Sequence, residues 1–225
     1  MLRRSMRREL VTEEELYANP DHPGAGGEEV GGVGGVDPAG RHEAQVGQRS
    51  GDRPFWNRFV GRDKVLLIGS SNTVGPDVGR LNVTLHHNLF DGVRQRLPRV
   101  RFGQVDVYNN HYRLAGDGFA YAIGIGVRSA VHVERNAFTL GAGITAADLL
   151  HDWGGTAVTT RGNVVDPADG PARPVDLAAA YNAAHDPDLA PDAGWTPTLR
   201  HGPVLPAVAV PYVVGAFAGA DRLLP

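Results

Sequence analysis

The chain has 225 residues and a formal charge of −3, which fits one domain with an appended segment and argues against a polycation built for nucleic acid. No run reaches the roughly 18 consecutive apolar residues of a membrane span, and the absence of cysteine excludes disulfides, thiolate-bound zinc and thiol nucleophiles. With 42% hydrophobic residues the chain can bury a core, while 30 glycines and 16 prolines favour many turns and short strands.

Residues 1–54 and 55–225 differ in texture. The first segment opens on Met1-Leu-Arg-Arg-Ser-Met-Arg-Arg and continues into Val11-Thr-Glu-Glu-Glu with no apolar stretch between, so as written it is not read as a signal peptide. Thr12 followed by Glu15 offers one helix start as a capping box. Seven glycines then crowd Gly24 to Gly35, and the segment is expected to be linker-like, or translated out of frame. The folded domain is expected over 55–225, with a loop-rich C-terminal extension from about 166.

From Phe55 a repeat sets in. Five short runs end in Asn-x-aromatic or Asn-x-Val, around Asn57, Asn88, Asn110, Asn136 and Asn163, at separations of 31, 22, 26 and 27 residues. Most are preceded by β-branched residues in alternation, as in Val83/Leu85, Val105/Val107 and Val131/Val133. One β-run per period in the twenties marks a solenoid. Leucines at fixed offsets and a 3.6-residue period are both lacking, which sets aside leucine-rich and helical repeats. The expected fold is all-β, a right-handed parallel β-helix. The repeated Asn is expected to take the left-handed conformation and bend the chain, and its amide to hydrogen-bond in a column across coils about 4.8 Å apart.

The block Val83-Thr-Leu-His-His-Asn-Leu-Phe-Asp-Gly-Val-Arg-Gln-Arg96-Leu-Pro98-Arg-Val-Arg101-Phe-Gly, with its continuation Val-Asp-Val-Tyr-Asn-Asn110, resembles the pectate lyases of polysaccharide lyase family 1. The resemblance extends upstream to Asp63-Lys64-Val-Leu-Leu-Ile-Gly69 and downstream to Tyr121-Ala-Ile-Gly-Ile-Gly126 and Gly194-Trp195-Thr-Pro197. It implies a pectin lyase-like solenoid that is incomplete at its N-terminal end, because the family carries further coils before the Asp-Lys segment. Those coils bear carboxylates that bind calcium. Here the corresponding window reads Gly40-Arg-His-Glu-Ala, so calcium is implied by the family while its carboxylate ligands are not found in the chain.

The resemblance implies eliminative cleavage of polygalacturonate, with Arg96 as the base at C5 and Lys64 and Arg101 holding substrate carboxylates. Guanidinium is ordinarily charged, and neighbouring cations are expected to disfavour that charge at Arg96. Arg101 suits a bidentate grip on a carboxylate. The family's usual His is replaced by Asp106, expected one step from the basic cluster. Arg94 and Arg96 are expected on one strand face and Arg99 and Arg101 on another. Asp63 is read as a structural partner of Lys64, and His86 and His87 as pointing to opposite faces. Trp56, Trp153 and Trp195 are read as packing residues ahead of sugar ligands. The resemblance further implies an acidic polysaccharide partner, secretion and a monomer, with neither nucleic acid nor membrane as partner. An open solenoid end would expose strand edges and favour oligomers or aggregation. The alternative is a truncated, inactive relative that at most binds acidic polysaccharide.

Overall fold

A computed structural model describes residues 44–45, 55–75, 78–198, 200 and 203–219. The chain divides into two compact units, residues 1–44 and 45–225. The helix start expected at Thr12, the glycine-rich run and the Gly40 window lie outside the described residues.

A two-residue strand, β1 (Ala44–Gln45), comes first in the chain. The solenoid then advances in circuits of three strands. Strands β2 (Arg58–Val60), β3 (Leu66–Ile68) and β4 (Asn82–His86) make one circuit, and β5 (Leu89–Asp91), β6 (Arg99–Val100) and β7 (Gln104–Tyr108) the next. They are followed by β8 (His111–Arg113), β9 (Ile123–Gly126) and β10 (Ala130–Glu134), then by β11 (Ala137–Thr139), β12 (Leu150–Trp153) and β13 (Val158–Arg161). Strand β14 (Asn163–Asp166) begins a further circuit, and β15 (Arg173–Val175) turns back antiparallel to it. Helices α1 (Leu177–Asn182) and α2 (Val210–Phe217) follow.

Strands at equivalent places stack in parallel and form three sheets. The first carries β3-β6-β9-β12 as consecutive neighbours, the second runs β4-β7-β10-β13, and the third runs from β2 through β5, β8, β11 and β14 to β15. The chain is therefore a parallel β-helix, as its repeat predicted.

Period-two alternation sorts the side chains. Val83, Val105, Val131 and Val158 pair in register and point inward, each at most 1% exposed. Phe59, Phe90, Tyr112 and Phe138 stack through the third sheet with centroids 5.1, 4.9 and 4.5 Å apart. The Tyr112 hydroxyl donates to the Leu97 carbonyl at 3.1 Å, which satisfies the one polar atom in that stack. Outside the third sheet, Leu89, Ala137 and Val164 form a second small core against Ala207, Val210 and Val214 of the α2 region.

The asparagine column forms. The Oδ1 atoms of Asn88, Asn110, Asn136 and Asn163 each accept two bonds from the Asn one circuit earlier, one from its backbone N–H and one from its Nδ2. The bend itself corrects the expectation drawn from the sequence. The left-handed residues are those just before the column, namely Trp56, His87, Asn109, Arg135 and Gly162, with φ between 50° and 59°. The column asparagines stay out of that region because each must aim its amide along the stacking axis.

Candidate active site

The first sheet presents its outer face to solvent. Its inward row is Ile68, Val100 and Ile125, and its outward rows are Leu67–Arg99–Gly124–His151 and, one step along, a row that includes Gly126 and Trp153. Arg101 joins the latter row beside Gly69, where its backbone N–H donates to the Ile68 carbonyl at 2.7 Å.

Lys64 enters on the rung before Arg96. It forms a parallel bridge with Gln95, and the Leu66 N–H donates to the Arg96 carbonyl at 2.9 Å. Lys64 Nζ lies 3.3 Å from Asp63 Oδ2, while Asp63 Oδ1 accepts from Gln95 Nε2 at 3.1 Å. Asp63 thus ties the lysine to the next rung, a structural part that fits its reading from the sequence.

Arg96 is half-buried with φ 62°, outside strand geometry. Arg101 Nη1 donates to the Gly69 carbonyl at 2.9 Å. Arg99 is 8% exposed and lies 4.0 Å over the Trp153 ring. Arg99 and Arg101 share the outward face, as alternation implies, and the departure from expectation is at Arg96. Because Arg96 leaves the strand conformation, alternation does not carry across it, and Arg96, Arg99 and Arg101 act on one another electrostatically. Arg94 is exposed and packs by Gly118. Burial first, then the neighbouring arginines, pulls the Arg99 and Arg101 guanidiniums below their usual range. Among the described residues neither has a carboxylate partner, so a shielded cluster of positive charge faces outward.

Between these side chains the outward face of β9 is bare, at Gly124 and Gly126. A Cβ on Gly126 would lie 2.2 Å from the Val100 carbonyl oxygen and 3.0 Å from Arg101 Cγ. A Cβ on Gly124 would lie 3.0 Å from Arg99, Tyr121 and Trp153 atoms alike. The Ile-Gly-Ile-Gly run therefore buries its isoleucines and leaves room for long side chains to lie along the stacking axis. Tyr121, with its hydroxyl buried beside Arg96 and Arg99, also belongs to this surface. Reading the run's alternation as core and bare outward face would have found Gly124 and Gly126. Tyr121 had no such signal.

Asp106 is not near the basic cluster. It lies on β7 of the second sheet, 1% exposed, where Arg200 Nε and Nη2 both donate to it at 2.7 Å and Arg200 Nη1 donates to Glu134 at 2.6 Å. Burial raises the Asp106 pKa and the Arg200 pairing opposes it. Burial likewise works against Arg200, but its bonds to Asp106 and Glu134 win and hold it above its usual value. The ion pair fastens a C-terminal strap across that sheet. The histidines also depart from expectation. With His87 left-handed, strand alternation fails, and the two Nδ1 atoms meet at 2.8 Å on the second sheet beside Tyr108.

Calcium finds no built place here. Among the described residues no three histidine or carboxylate side chains gather as a metal-binding group, and Asp63, the carboxylate beside Lys64, is engaged by Lys64 and Gln95.

The fold and surface define a parallel β-helix bearing a cluster of arginines on one sheet. A family model described as pectate lyase matches residues 55–184, and the chain belongs to that family. It is similar to a pectate lyase of Bacillus subtilis (strain 168), with 35% identity over 173 residues, covering 75% of this chain and 38% of that one. Pectate lyase E of Dickeya chrysanthemi is 47% identical over 91 residues, 37% of this chain and 22% of the relative. Among solved structures, a thermostable pectate lyase superposes with a TM-score of 0.75 at 36% identity, covering 81% of this chain and 44% of its own. A pectate lyase bound to a hexasaccharide gives 0.70 at 34%, covering 81% and 43%. The chain spans less than half the length of these relatives.

Proposed function

We propose that this face forms a trough that binds a stretch of polygalacturonate and cleaves it by β-elimination, with Arg96 as the base and Lys64 and Arg101 gripping sugar carboxylates. The observation that carries this reading is Arg99 and Arg101 on the outward rows of one sheet within electrostatic reach of Arg96, with Lys64 on the adjoining rung. Neutralising the carboxylate on C5 acidifies the C5 proton. Arg96, as the base, takes that proton, the C4–C5 double bond forms, and the C4–O glycosidic bond breaks with its electrons going to the departing sugar.

Similarity to proteins named as lyases favours cleavage over binding alone. A polymer too large to enter a cell supports an extracellular site of action. We also take residues 55–225 to be the polysaccharide-handling domain. Incubating the full chain with polygalacturonate, with and without added calcium, should release a 4,5-unsaturated product absorbing in the near ultraviolet, and Arg96→Ala should abolish it. Product formation unaffected by Arg96→Ala overturns the assignment, and absence of product under both conditions overturns the activity.

A further inference from the structure

Beyond Arg101 the outward row continues across Gly126 to Trp153, two rungs or about 10 Å further along the stacking axis. Around Trp153 the side chains are built into a platform. Arg99 covers the indole at 4.0 Å, His151 tilts against it at 4.6 Å, and Tyr121 meets it at 6.0 Å while stacking on His151 at 5.3 Å. Trp153 remains 37% exposed, whereas Arg99 and Tyr121 are buried beneath it at 8% and 2%. Arg99 Nε is buried without a hydrogen-bond partner, and no carboxylate among the described residues pairs with its guanidinium. A buried guanidinium without a carboxylate partner carries a desolvation cost that the indole and Tyr121 offset only in part, and an anion arriving at the surface would relieve it. Gly124 is what permits the arrangement, since any Cβ there would press on Arg99, Tyr121 and Trp153 at once.

We propose that Arg99 and Trp153, seated over Gly124 and braced by Tyr121 and His151, form a separate subsite for an acidic pyranose, the indole lying against the sugar ring and the guanidinium taking its carboxylate. This rests on the polygalacturonate reading, and it assigns the site to a sugar two rungs away from the reacting one. A ring stacked on an already ordered indole loses little freedom on binding, and stacking on an aromatic face combined with a charged hydrogen bond supplies both grip and selectivity.

The test uses the full chain carrying Arg96→Ala, so that ligand is not consumed, and compares tri- with hexagalacturonate by titration calorimetry. Adding Trp153→Ala should weaken hexamer binding about tenfold, or roughly 1.4 kcal/mol, while leaving the trimer within about twofold. Trp153→Phe should retain most of the affinity, and Arg99→Gln should erase the preference for the free acid over its methyl ester. Circular dichroism of each variant reads the fold. Gly124→Ala should reproduce the hexamer defect without removing any binding group. Equal loss for trimer and hexamer, or no loss for the hexamer, overturns the subsite. Cleavage by the unsubstituted chain together with such a result would leave the lyase reading standing. Trp153-dependent hexamer binding without cleavage would overturn that reading and leave the subsite.

Discussion

Removing one amide from the middle of the asparagine column should cost far more than removing the first. The Asn110 side chain accepts from the Asn88 N–H at 3.0 Å and Nδ2 at 2.9 Å, and donates to Leu85 and Tyr108 carbonyls and to Asn136 Oδ1 at 2.9, 3.1 and 3.1 Å. All five bonds are buried, and Asn110→Ala leaves the Asn88 donors facing an apolar wall. At a net value near 1 kcal/mol per bond, lowered by some relaxation, the loss is about 4 kcal/mol. Asn57 makes only two side-chain bonds, to the exposed Phe55 carbonyl and to Asn88 Oδ1, and its backbone N–H keeps its bond whatever the side chain. Asn57→Ala should therefore cost about 1 kcal/mol. Equilibrium urea unfolding of the two variants measures the difference. Equal losses at the two positions would refute the idea that the buried amides hold the circuits together, as would a loss below about 1 kcal/mol at Asn110.

The buried histidines set a pH limit. Burial, chiefly, pulls both His111 and His87 down from 6.5 to about 4. The fold thus holds them neutral, and their contribution is complete above pH 6.5 and is lost as pH falls toward 4. For His111 the full span is on the order of 3 kcal/mol; His111→Gln should flatten the fall in urea midpoint between about pH 7 and about pH 5, and an unchanged slope would count against the assignment. Arg200→Met should strand the Asp106 carboxylate, at a cost of about 3–5 kcal/mol, and make the strap susceptible to limited proteolysis; adding Asp106→Leu should restore much of the loss, and failure to do so would show that the charge pair is not what the strap depends on.

Much of the fold was readable because the buried amide column can be satisfied only by the same residue type at every circuit. Asn88, Asn110, Asn136 and Asn163 consequently recur where alternating valines already mark a strand. The first sheet was harder to see. Its strands are two to four residues long, too short for alternation to register, and Gly124 and Gly126 blank out the outward half of the pattern. The misplaced residues share one cause. His87 and Arg96 adopt a left-handed conformation that side-chain type does not advertise, so strand alternation was carried across bends where it does not hold. Asp106 erred for another reason, since its partner Arg200 is 94 residues distant in sequence.

The Ile-Gly-Ile-Gly run separates two duties by parity. One set of alternate positions answers to the interior, and the other to whatever lies along the trough. Neither set is free to drift, since a Cβ on Gly126 would meet the Val100 carbonyl oxygen at 2.2 Å and one on Gly124 would press on three side chains, and the spacing is equally strict. A single residue inserted into β9 would exchange the two sets, thrusting isoleucine toward solvent and leaving the interior hollow. Segment length in this sheet is therefore constrained together with residue identity.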